Sequence, residues 1–136
     1  MASNEGRVYF ALDGDNFEPD ELTSFLGIEP TSVKRKSTTQ SNRIANFSSW
    51  QVSTKNIISE HIDIFKITQE IIDKLKPVRN LINEAKSRFN VCPRLEVVLW
   101  LSMDEEHSTP AIGFEADTIK FLGEIGAFID IDTYKH

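Results

Sequence analysis

The chain has a single cysteine, Cys92, among 136 residues. A lone thiol excludes an intrachain disulfide and any cysteine metal cluster. Its place between Val91 and Pro93, ahead of an apolar run, predicts a buried and inert side chain. Glycine is scarce too, with six copies. None of them builds a phosphate-cradling loop followed by Lys-Ser/Thr, and none fits the dinucleotide fingerprint. No stretch approaches the roughly 18 apolar residues of a membrane span, and the first residues carry no basic and hydrophobic leader. A soluble cytoplasmic protein is the reading. His61, His107 and His136 form no His-x-x-x-His pair, and no serine sits in a Gly-x-Ser-x-Gly elbow. Catalytic residues, a metal ligand set and a cofactor are therefore not expected.

What is present is a strongly patterned 15.5 kDa chain, one domain's worth of residues spanning 1–136. Nine Phe and two Trp supply a core. The formal charge of -6 is uneven: residues 1–33 carry -6, residues 34–103 carry +6 and residues 104–136 carry -6. Nucleic acid is not the expected partner of an acidic chain, because that binding is dominated by phosphate neutralisation.

Two stretches echo each other, Phe17-Glu18-Pro19-Asp20-Glu21-Leu22 and Phe114-Glu115-Ala116-Asp117-Thr118-Ile119. Each follows a short apolar strand pattern and opens a helix that stops at glycine, Gly27 or Gly126. Arg7 to Asp13 reads as a strand, and Pro19 suits a first helical position. A second strand begins at Ser32-Val33, and a return strand runs from Phe47 to Thr54. Ser59 is the expected cap of a helix carrying Ile62, Phe65, Ile72 and Leu75, and Pro77 opens a second helix. The nearly continuous apolar run Leu95 to Met103 predicts a central strand buried on both faces. Pro110 to Phe114 is expected as a short strand, Asp117 as a helix cap, and Phe128 to Asp132 as the last strand.

This order predicts an α+β two-layer sandwich with helices on one face of a mostly antiparallel or mixed sheet. Its ferredoxin-like β-α-β-β-α-β core is extended by a C-terminal β-α-β unit.

The succession Phe-Glu-Pro-Asp-Glu-Leu, Leu26-Gly27-Ile28-Glu29-Pro30, Arg35-Lys36 and Ser49-Trp50 resembles the bacterial domain of unknown function 4279 family. The resemblance continues through Leu75-Lys76-Pro77 and the closing Leu122 to Tyr134. It implies a small bacterial cytoplasmic protein with no assigned activity, and it supplies no catalytic residues.

Two candidate surfaces stand out. Arg35, Lys36 and Arg43 lie in an acid-free stretch with Trp50 just beyond, a set suited to carboxylate- or phosphate-bearing partners. Asp130 and Asp132 share one face of a strand with Phe128 and Tyr134, while Ile129 and Ile131 take the core side. Such a carboxylate pair could share a proton or bind a cation if buried; on an edge strand it discourages sheet extension.

The leading functional expectation is a non-catalytic interaction domain, in its specific form an immunity-type protein that masks a cognate toxin. A small-molecule or anion-binding sensor is the first alternative, and an enzyme with dispersed acidic residues the second. Another protein is the expected partner, and exposed sheet edges also allow a homodimer.

Overall fold

A computed structural model describes residues 3–36 and 46–135. Strand β1 (Asn4–Gly14) alternates over most of its length: Val8, Phe10 and Leu12 are fully buried, while on the other face Tyr9 and Asp13 are only partly covered and the small Ala11 between them is buried. Helix α1 (Pro19–Leu26) follows, with Pro19 at its start and Glu18 accepting from the Asp20 backbone N–H. Gly27 ends it in the left-handed region at φ 74°, which costs a residue without Cβ little. The chain then forms the short strand β2 (Ser32–Lys34) and returns as β3 (Ser48–Ser53) and β4 (Ile57–Ser59).

Strands β3 and β4 are two parts of one run along β1. Three steps on β1, from Tyr9 to Gly6, face four on the opposing chain, from Ser53 to Ile57. The extra residue is a β-bulge, which bends the strand locally. Because Ser59 belongs to β4, it does not cap the next helix; its hydroxyl accepts from the His61 N–H instead. The cap of α2 (Ile64–Leu75) is Asp63, whose carboxylate accepts from Lys66 N at 3.1 Å. A 3₁₀ turn at Lys76–Val78 contains Pro77, and α3 (Arg79–Arg88) begins after it.

Strand β5 (Val91–Leu101) pairs antiparallel with β1 over ten residues. Pro93 lies inside it and borders β1 alone, because β6 joins only from Arg94 onward. The segment expected as a strand at Pro110–Phe114 is irregular. It crosses α2 rather than an open sheet edge: a Cβ on Gly113 would lie 2.1 Å from the Phe65 ring. Helix α4 (Ala116–Ile125) starts behind Glu115, so Asp117 lies in its first turn rather than capping it. Gly126 repeats the left-handed ending at φ 68°. Strand β6 (Phe128–Lys135) then pairs parallel with β5.

The sheet order is β2-β3-β1-β5-β6, with β4 beside β1. The first four positions are the ferredoxin-like arrangement, and β5-α4-β6 is the added β-α-β unit. Helix α1 packs on β3, α2 on β1 and α3 on β5, so the helices share one face. Between the layers lie Phe10, Leu12, Trp50, Ile71, Ile72, Leu95 and Leu99. Among the described residues, no helix is long and apolar enough to cross a membrane.

Candidate functional site

The opposite face of the sheet carries the charged groups. Cross-strand partners share a face, so the registers place Tyr9, Asp13, Arg94, Glu96, Asp130 and Asp132 together there. Cys92 lies on this side too and is exposed, contrary to the expected buried thiol. Strand alternation is the reason: Val91 and Pro93 take the helix side.

Arg94 is the hub. Ala11 sits directly opposite it on β1, and so small a side chain leaves room for the guanidinium to lie along the sheet. Its Nε donates to Asp13 at 2.9 Å; Nη1 donates to the Tyr9 hydroxyl at 3.0 Å and to Glu96 Oε1 at 2.5 Å. The Ser49 hydroxyl donates to Asp13 at 2.6 Å. Arg94 and Arg7 also lie over the Tyr9 ring, at 5.3 and 4.9 Å. Burial works against the Arg94 charge, but the bonds to Asp13 and Tyr9 outweigh it and raise its pKa.

Glu96 is 1% exposed, the least exposed charged side chain of this face. Arg94 satisfies Oε1, whereas Oε2 is buried with no hydrogen-bond partner among the described residues. Asp130 and Asp132 approach from β6, but an ionised carboxylate offers no donor. One oxygen from each of the three carboxylates lies within 4.8 Å of the others. Burial, which outweighs the bond from Arg94, and the crowding of the Asp132 and Asp130 carboxylates push the Glu96 carboxyl up to about 7. Further along this face Trp100 and Tyr134 stack, with centroids 5.6 Å apart. Asp130, Asp132 and Tyr134 thus meet on one surface with Glu96, which the sequence reading did not single out. A lone acid inside the run Leu95 to Met103 was its signal.

Ile129 and Ile131 do face the helix side, but they remain 36% and 41% exposed. They are not core residues, because β6 is the outermost strand.

The basic stretch is arranged differently from expectation. Arg35 pairs with Glu18 and Asp20 at 3.0 and 3.1 Å, and Lys36 with Asp15 at 3.2 Å. Trp50 is fully buried and its Nε1 donates to Thr23, so it offers no platform beside them. Its place follows from pairing with Leu12, which points into the core. Arg43 lies outside the described residues.

His107 anchors the irregular segment: Nε2 meets Glu60 at 3.0 Å and Nδ1 meets Ser102 Oγ at 2.8 Å. A cleft of about 890 Å³ runs along α2 between Thr54, Ile57, His61 and Lys74. Neither Trp50, Trp100 nor Tyr134 lines it.

The sequence profile described as domain of unknown function DUF4279 matches residues 4–136. The chain belongs to the DUF4279 family. The match covers every element of the DUF4279 fold described above, including the added α4 and β6. No curated protein matches the chain. No solved structure matches it either.

Proposed function

We propose that this chain is a non-catalytic interaction domain of the bacterial cytoplasm that takes up an extended strand of a basic partner protein along β6. One observation carries the reading. The strand is outermost in the sheet, and it alternates exposed Ile129 and Ile131 on one side with Asp130 and Asp132 on the other. A partner strand added to such an edge gains backbone hydrogen bonds, and its side chains alternate in the same way. Apolar side chains would meet the isoleucines, and lysine or arginine would meet the carboxylates. Complementary charge also steers the encounter, since the chain carries a net -6. In its specific form the partner is a toxin with a basic nucleic-acid-binding surface, and the domain is its immunity protein.

The test is a photo-crosslinking residue placed at position 131 in producing cells, with exposed position 84 on α3 as control. A basic protein captured at 131 and not at 84, and lost from Ile131→Lys/Asp132→Lys, supports the reading. No adduct, or equal adducts at both positions, ends it. Co-expression then decides the immunity form: the captured protein should be toxic alone and harmless beside the unaltered chain. A partner that is harmless alone ends that form.

A further inference from the structure

We propose that Glu96, Asp130 and Asp132 form a binding site for a divalent cation of the calcium class. The β5–β6 register sets Glu96 beside Asp130, and Asp132 is the next residue on the same face. Their three oxygens lie within 4.8 Å of one another. Oxygens that share a calcium-sized ion at roughly 2.3–2.6 Å can be up to about twice that far apart, so a spread of this size lets one ion reach all three.

The acids alone would not make the case, because exposed carboxylates gather on many surfaces. Glu96 Oε2 does. It is out of reach of solvent and has no hydrogen-bond partner among the described residues, although Arg94 holds its sister oxygen in place. An unpaired, buried carboxylate oxygen is costly, and a cation removes that cost. The local charge agrees: the Arg94 guanidinium pairs with Asp13 and Glu96, and among the described residues no ion pair joins a cation to Asp130 or Asp132. Arg7, across Val98 from Asp132, is engaged with the Tyr9 ring. Asp130 is exposed and Asp132 half-buried, so an ion can enter from solvent and keep water in its remaining positions. All three donors are hard oxygens, without thiolate or imidazole, which selects calcium, magnesium or manganese over zinc and copper.

This site goes beyond the docking reading and does not depend on it. The two share Asp130 and Asp132, so a bound cation and a partner's basic side chain exclude each other.

The experiment uses the purified, chelator-treated chain alone, titrated calorimetrically with CaCl₂, MgCl₂ and MnCl₂. Saturable one-to-one binding of calcium is expected, weakened about tenfold or more in Asp132→Asn and in Asp130→Asn, since affinity follows ligand charge. Glu96→Gln should lose binding; should it not fold, the two aspartate variants on the exposed strand carry the test. Manganese should broaden the NMR signals of Tyr134 before those of Trp50. No saturable heat with any of the three ions up to about 10 mM, far above the weak end of calcium sites, overturns the proposal. So does unchanged affinity in the folded aspartate variants. Because no partner is present, failure here leaves the docking reading standing, and failed crosslinking leaves this site standing.

Discussion

The Trp50 indole Nε1 donates to the hydroxyl of the half-buried Thr23 at 3.0 Å, tying β3 to α1. Trp50 is fully buried, so no water can replace that acceptor. Thr23→Val keeps the shape and leaves the N–H unpaired, which should cost about 1–3 kcal/mol in chemical denaturation. Thr23→Ser should restore most of it. Equal stability of all three proteins would show that the bond contributes nothing.

Arg94 and Arg35 provide a contrast between a covered and an open ion pair. Arg94 has a side chain only 16% exposed and serves both Asp13 and Glu96. Arg94→Ala strands two carboxylates in a poorly solvated place, so a loss of about 3–5 kcal/mol is expected. Arg35 is half exposed, and Arg35→Ala should leave the melting temperature nearly unchanged. The order of the two melting temperatures checks the claim; a larger drop for Arg35→Ala would refute it.

Gly113 lies under the Phe65 ring. Gly113→Ala drives a methyl into that ring, with a first contact at 2.1 Å, and overpacking of this sort costs about 1–3 kcal/mol. Phe65→Ala should largely relieve it. The double variant should therefore be more stable than the two single losses added together. Simple additivity would place the ring elsewhere in solution.

Glu18 and Asp117 titrate below their ordinary values of 4.5 and 3.8. The Arg35 hydrogen bond lowers Glu18, helped by the Asp20 N–H; the Lys76 ammonium lowers Asp117. A folded-state pKa below the unfolded one gives stability that is fully present above the ordinary value. It is lost as pH falls through the folded midpoint. NMR titration should place both midpoints low, with Arg35→Ala returning Glu18 upward and Lys76→Ala doing so for Asp117. Midpoints unmoved by these changes would dissolve both pairs.

A two-fold pairing of β6 edges centred on Ile131 would set Asp130 of each copy against Asp132 of the other. Like charges directly opposite destabilise a sheet. Sedimentation at micromolar concentration should therefore give a 15.5 kDa species. A stable species of twice that mass would reject the argument.

The fold was largely legible because its punctuation is local. Pro19, Gly27 and Gly126 mark helix ends by backbone chemistry that any reader of the chain can apply. Ser59 and Asp63 show the limit: both can cap a helix, and only the pairing of Ile57–Ser59 with Asn4–Gly6 decides between them. Half of the candidate site was legible, since Asp130, Asp132 and Tyr134 follow from alternation within one strand. Arg94 and Glu96 were not. Their neighbours are set by the registers of β5 with β1 and β6, which join residues far apart along the chain.

The position of β6 has a consequence for biosynthesis. Among the described residues it pairs only with β5, and it is made after every strand of the ferredoxin-like core. During translation, β1, β3 and β5 can pair while α4 and β6 are still being added. Through that interval β5 is itself an edge, and Glu96 meets neither Asp130 nor Asp132. The crowding of carboxylates is thereby postponed to the final docking of β6. A nascent chain that stalls there leaves Leu95 to Leu99 as an unguarded edge, open to whatever strand arrives first.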